Sequence, residues 1–190
     1  MLFVESYKNK DKIPTGSIII DTTSRSNSWT RGLSPFIIQA GHLYGNFYAH
    51  NVENGWQYTK TYTNMVDENQ NPNQKYWDWA QKGWADKRAQ RYPMGKDAKP
   101  LYSYWDGEKL GYIEARKKIY VPLYSRGVVK QTAFQRLLEL YRTETRDIYL
   151  IDFDGYNHKE LNMKLIDILN EPNRKMGHAF VIYALLQKMK

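Results

Sequence analysis

Asp147-Ile148-Tyr149-Leu150-Ile151-Asp152-Phe153 holds four consecutive apolar residues between acids, late in a chain of 190 residues. A run this short and this apolar reads as a strand buried on both faces rather than as an amphipathic helix. It needs partners, and the candidates lie far upstream. Met1 to Val4 is a short apolar run. Ser17-Ile18-Ile19-Ile20-Asp21 is a second strand candidate, bounded by Gly16 and by the polar stretch Thr22 to Ser28. Phe36 to Gln39 and Leu43 to Phe47 are expected to form a hairpin around Ala40-Gly41.

Between these strands and the late one, the apolar spacing becomes helical. Val52, Trp56, Thr59/Lys60 and Thr63 recur on one side of a segment that Asn51 can cap, with Asn54 at the third position. The segment fades in a polar loop, Asp67 to Asn73, that contains Pro72. Tyr76 to Arg91 is expected as a second helix, stopped by Tyr92-Pro93-Met94-Gly95. Asp106 is expected to cap a long helix running to about Arg126, kinked or split at Pro122. Further helices are expected at Thr132 to Tyr141, Met163 to Leu169 and Asn173 to Lys188. Strands early, helices later and one strand returning to the sheet predict an α+β fold. With no repeat, low-complexity tract or linker, residues 1–190 are expected to form a single domain.

Composition narrows the chemistry. The chain has 0 Cys, which removes disulfides, thiolate zinc sites and cysteine nucleophiles, and fits a reducing, cytoplasmic compartment. No apolar run approaches the ~20 residues of a membrane span, and the N-terminus lacks the order of a secretory signal. Lys and Arg number 28 against 20 Asp and Glu, a formal charge of +8. That balance attracts phosphate, so nucleic acid and free nucleotides are the expected partners, the bland alternative being charge that serves solubility. Tyr and Trp number 16 and 6. They suit half-wet pockets that stack planar rings, or they fill the core in place of Leu.

Four constellations can carry chemistry. On a helix, Glu53, Trp56, Gln57 and Lys60 share one face. Trp56 turns that face inward, so it carries an acid and a cation into the interior, where charges need partners or a function. Either Glu53 is a general acid/base tuned by Lys60, or the pair is a helix salt bridge. Asp152 and Asp154 project the same way from a strand end before Gly155, as a divalent-cation pair or as a turn cap. Arg91, Lys96 and Lys99 interleave with Tyr102, Tyr104 and Trp105, suiting phosphate plus a stacked base, or forming a solvated basic loop; the spacing of a P-loop is absent. Asn173-Arg174-Lys175-Met176-Gly177 opens a helix, as an anion site or a plain cap. His42, His50, His158 and His178 show no metal-ligand spacing, so no metal and no cofactor is expected.

Taken in order, the segment Trp29-Thr-Arg-Gly-Leu-Ser34-Pro-Phe36, then Gly41, then Val52-Glu53-Asn54 with Gln57 and Lys60, resembles the opening of the NADAR family. That family has a Leu-Ser-Asn-Phe segment, a Gly, and Val-Glu-His leading into a helix that ends in Lys. Ala85 to Lys96, Trp105 to Tyr124, Leu137 to Asp154 and Asn173 to Leu186 are similar to its later segments. Asn54 stands where the family has His, Pro35 where it has Asn, and its late Trp-Gly is replaced by Asp154-Gly155-Tyr156. The resemblance implies an N-glycosidase-like hydrolase that cleaves a ribose–base C–N bond in a nucleotide or in ADP-ribosylated nucleic acid. Glu53 would be the acid/base, Lys60 a companion charge, and Asp152 or Asp154 the second catalytic group. Arg91, Lys96 and Lys175 would hold phosphates. Trp56 and Trp105 would stack the base, with Ser34, Asn54, Tyr102 and Asn173 completing the substrate site. The departures at Asn54 and Trp-Gly keep open a non-catalytic nucleotide- or DNA-binding module.

Overall fold

The computed structural model describes residues 1–190, and the fold is α+β. In chain order the elements are β1 (Leu2–Ser6), β2 (Ile18–Asp21), β3 (Gly41–His42), β4 (Tyr48–Ala49), α1 (Val52–Gln57), β5 (Lys60–Thr61) and α2 (Gln74–Ala85). There follow β6 (Tyr102–Trp105), β7 (Glu108–Leu110), α3 (Tyr112–Ala115), α4 (Val121–Val128), α5 (Thr132–Thr143), β8 (Ile148–Asp152), α6 (Leu165–Asn170) and α7 (His178–Met189). Residues 1–34 and 128–190 form one compact unit, and residues 35–127 a second. No helix is long and apolar enough to cross a membrane.

The first unit is organised by the stretch 147–153. β8 is the middle strand of a three-stranded parallel sheet, ordered β1-β8-β2, with Leu2 and Ile18 both opposite Ile148. All five β8 residues are buried, which is why the run is continuously apolar instead of alternating. α7 packs on β1 and β8. Its buried residues are His178, Ala179, Phe180, Val181, Ile182, Tyr183 and Leu186. α5 buries Phe134, Leu137, Leu138 and Tyr141, as its helical spacing predicts, and packs on α7 and on a 3-10 turn at Trp29–Leu33.

In the second unit the local structure departs from the sequence expectation at five places. Phe36 to Gln39 is not a strand. The carbonyls of Pro35 and Ile38 are taken by the first amides of α1, those of Glu53 and Val52, at 3.1 and 2.9 Å. The hairpin instead pairs Gly41–His42 with Tyr48–Ala49, closed by Leu43 N–H on the Phe47 carbonyl. α1 ends at Gln57, short of Thr63. Lys60 and Thr61 extend into β5, which pairs antiparallel with β6 and so satisfies backbone groups that a longer helix would have used.

Asp106 does not start a helix. With φ of 47° at Asp106 and 87° at Gly107, the two residues form the tight turn of the β6–β7 hairpin. Asp-Gly is a strong two-residue hairpin signal, because both central residues must take positive φ. The long helix begins only at Tyr112, where the Glu114 carboxylate accepts from Gly111 N–H at 3.0 Å. Pro122 does not break it. Residues Arg116–Tyr120 wind as a π-helical segment, and Val121 N–H reaches back five residues to the Arg116 carbonyl. The wider turn sits directly before a ring that cannot donate and that crowds the carbonyl four residues back.

α2 runs from Gln74 to Ala85 instead of from Tyr76 to Arg91, because the Asn73 side chain caps it by accepting from Tyr76 N–H at 3.3 Å. In the first unit, the last helix starts at His178 instead of Asn173, with Gly177 as its N-cap residue.

Candidate functional site

The second unit holds a buried polar chain on α1. Asn51 caps this helix, its Oδ1 accepting from Asn54 N–H at 2.8 Å. Five of the six helical residues are buried, and Glu53 is only 6% exposed. One carboxylate oxygen, Oε1, accepts from Gln57 Nε2 at 2.9 Å. The Gln57 Oε1 in turn accepts from Lys60 Nζ at 2.6 Å. Although Lys60 lies on β5 and not on the helix, its side chain reaches back along the face that the spacing predicts. The ammonium also sits 5.1 Å from the Trp56 ring, and Trp56 packs on Tyr120 at 5.4 Å.

α1 packs against the π-helical segment that carries Arg116 and Tyr120. Arg116 is 2% exposed, among the largest fully buried side chains, with its guanidinium 4.6 Å from the Tyr112 ring. A buried guanidinium is costly unless paired, and π-helical turns recur at functional sites. Nothing in Arg116-Lys117-Lys118 distinguishes the buried Arg from its two exposed neighbours, so the sequence gives no signal for it.

Asn54, beside Glu53, is wholly buried, and both ends of its amide meet backbone groups. Nδ2 donates to the carbonyls of Asp86 and Arg88, each at 3.0 Å, and Oδ1 accepts from Gln90 N–H at 2.8 Å. Asn54 therefore ties the base of the 86–90 loop to the helix that presents Glu53. Beyond that anchor the chain is exposed and basic through Lys96 and Lys99, with the Arg91 guanidinium 5.4 Å from the Tyr92 ring. Tyr102 donates its hydroxyl to the Gln70 carbonyl at 2.6 Å, and burial pushes its phenol above the usual range. Trp105 packs edge-on against Tyr44 at 4.8 Å.

The remaining predicted residues lie in the first unit. Ser34 is wholly buried and ends the 3-10 turn, its N–H bonded to the Arg31 carbonyl. Asp152, 3% exposed, ends the central strand. Its Oδ2 accepts from Ala179 N–H at 3.1 Å and lies 3.1 Å from His178 Nδ1, so it meets the first turn of α7. His178 Nε2 sits 2.7 Å from the Thr22 carbonyl. The partner that the sequence missed is thus His178, whose only signal was its place just after Gly177. Asp154 is half-buried, and its carbonyl accepts from Gly177 N–H at 3.3 Å. Asn173 and Lys175 are exposed, with Asn173 N–H on the Glu171 carboxylate at 2.7 Å. No group of three or more His, Asp or Glu side chains is placed to hold a metal ion.

Fold and site together define an α+β protein whose second unit joins a buried carboxylate, a buried amide and a half-buried ammonium in one chain. The chain belongs to a family of unknown function (DUF6939), whose model matches residues 5–179. No curated protein and no solved structure matches it.

Proposed function

We propose that the chain is an N-glycosidase-like hydrolase that cleaves a ribose–base C–N bond, with Glu53 as its acid/base, in the cytoplasm. The observation that carries this reading is the Lys60–Gln57–Glu53 chain: a carboxylate held almost out of water, with an ordered donor on one oxygen. Breaking an N-glycosidic bond builds positive charge on the sugar, and a carboxylate in a low-dielectric site stabilises that charge strongly. In hydrolysis the C–N bond pair leaves with the base nitrogen, which takes up a proton. Water oxygen bonds to the sugar carbon and gives its proton to Glu53. Trp56 and Tyr120, their rings tilted by 55°, bring aromatic surface beside this chain. The resemblance of 29–60 to NADAR proteins supports the same chemistry, with a nucleotide or ADP-ribosylated nucleic acid as substrate.

A mass-spectrometric screen tests it. The protein and its Glu53→Gln variant are incubated with NAD, ADP-ribose, ribosylaminopyrimidine phosphates and ADP-ribosylated DNA. A base released by the parent protein and lost in the variant is the expected result. Equal release from both removes Glu53 from the chemistry.

The exposed basic residues Lys87, Arg88, Lys96 and Lys99 favour a second reading, a binding module for nucleotide or DNA that makes no product. Retention of DNA without turnover, weakening steeply with salt, would select it.

A further inference from the structure

Sixteen residues, 86–101, join α2 to β6 with no helix or strand of their own. Loops of more than about 15 residues without such elements are uncommon in compact units, and are usually binding loops or disordered linkers. This one is fastened at both ends. At its start Asn54, on α1, holds the carbonyls of Asp86 and Arg88 and the N–H of Gln90. At its end Leu101 N–H donates to the carbonyl of Thr61, on β5, at 2.8 Å. Halfway along, Gly95 N–H turns back onto the Tyr92 carbonyl at 3.0 Å, and Gly95 takes a φ of 95°. Between its anchors the loop faces solvent from Met94 to Asp97.

Residues 87–101 carry five Lys and Arg against one Asp, half of the chain's formal excess of +8. Lys87, Arg88, Lys96 and Lys99 are exposed. Three large apolar side chains are exposed beside them, Tyr92 at 38%, Met94 at 36% and Leu101 at 45%. A loop that only keeps the protein in solution has no use for this second set. Tyr102 and Trp105, the rings that the sequence pairs with these cations, are turned to Gln70 and Tyr44 instead. Cations beside exposed apolar surface fit a polyanion that also offers flat apolar faces. We infer that the 87–101 loop binds single-stranded nucleic acid, its cations following the phosphates and Tyr92 stacking a base. A duplex hides its base faces, and its major groove admits a helix or a two-stranded ribbon, neither of which this loop has. A mononucleotide carries too few phosphates to meet cations spread from Lys87 to Lys99. A membrane surface is met by an amphipathic helix, which the loop also lacks. The inference rests on the reading of nucleic acid as the ligand, and it names the form of that ligand and the segment that takes it.

Fluorescence anisotropy tests it with the full chain and a labelled oligothymidine of about 12 nucleotides, alone and paired with its complement. The single strand is expected to bind more tightly than the duplex at physiological salt. Its affinity is expected to fall with salt at a log–log slope of about −3, from about −0.7 for each phosphate met by the four exposed cations. Lys96→Gln with Lys99→Gln is expected to make that slope shallower by about 1.4. Tyr92→Ala is expected to weaken binding about 5- to 150-fold with the slope unchanged, and Tyr92→Trp to keep the affinity. An unchanged slope in the double Lys variant, or no loss in Tyr92→Ala, overturns the inference. A duplex bound as tightly as the single strand overturns it too, and leaves the broader binding reading standing. No binding of either form removes nucleic acid as the ligand altogether. Vesicles containing phosphatidylserine are the third probe, and binding to them in place of the oligonucleotide overturns the inference in favour of a membrane surface. The base-release screen judges the hydrolase reading separately.

Discussion

Asp152 Oδ2 accepts from the backbone of Ala179 and lies 3.1 Å from Nδ1 of His178, so one buried carboxylate oxygen joins the end of the central strand to the first turn of the last helix. The Thr22 carbonyl on the far side of the imidazole can only accept, so Nε2 carries a hydrogen. Removing one member leaves the other buried without its partner. Asp152→Asn and His178→Leu are each expected to lower unfolding free energy by about 3–5 kcal/mol, the range for a broken buried pair. The double variant is expected to cost less than the two together. Urea denaturation checks both, and additive losses would show that the pair is not coupled.

Gly177 is required for that contact. A Cβ there would overlap Asp152 Oδ2 and lie 2.8 Å from its Cγ. The backbone at Gly177, φ −72°, suits any residue, so the requirement is space and not conformation. Gly177→Ala is expected to cost about 1–3 kcal/mol by overpacking, and to lower the melting temperature measured by circular dichroism. Gly95→Ala, with nothing within 4 Å of its Cβ, separates the two causes: any loss there comes from its φ of 95° alone.

The apolar run Ile148 to Ile151 placed a buried strand because it is short and closed by an acid at each end, whereas the longer apolar run Ala179 to Leu186 is a buried helix. That β1 and β2 flank it in parallel depends on contacts across more than a hundred residues, which local pattern does not carry. Glu53 and Gln57 do face inward, yet Trp56, from which that face was read, is the one α1 residue left half-buried, and Lys60 is half-buried too. Lys60 leaves the helix and returns by side-chain reach, through a strand that exists only because β6 pairs with it. Asp106-Gly107 was readable as a hairpin from its residue types, but the helical spacing after it competed for the same Asp. Arg116 was not readable at all, since burial of one cation in a basic run is decided by the π-helical turn and not by composition.

His158 gives the protein an acid-sensitive element. Its ring is buried against Phe180 and Tyr183, and Nδ1 finds no hydrogen-bond partner. Burial, and then the nearby Lys159 charge, hold its pKa below the usual imidazole value. The folded state therefore keeps the ring neutral at a pH where the unfolded chain already binds a proton. Stability from this group is fully present above the unfolded value of about 6.5 and is lost as pH falls through the lower folded value. Chemical denaturation across that window is expected to show falling stability on acidification. His158→Phe is expected to flatten that part of the profile, and an unchanged slope would assign the acid sensitivity elsewhere.

Asn54 is expected to matter more for the 86–90 loop than for the helix it sits on. Asn54→Ala leaves three backbone groups without a partner, the carbonyls of Asp86 and Arg88 and the N–H of Gln90. Leaving a buried polar group unsatisfied costs about 1–3 kcal/mol, but this loop can turn its freed groups to water, so the cost appears as local opening. Hydrogen exchange is expected to quicken at Gln90 while the α5 amides keep their protection. Trypsin is expected to cut after Lys87, Arg88 or Arg91 faster than in the parent protein. Asn54→Asp separates the roles of the two amide ends. Its oxygen still accepts from Gln90, whereas a second oxygen then faces two carbonyls and repels them. If Asn54→Asp opens the loop as far as Asn54→Ala does, the two bonds from Nδ2 hold it. If it stays closed, the single bond from Gln90 suffices, and the tether is anchored at the loop's end, next to Arg91.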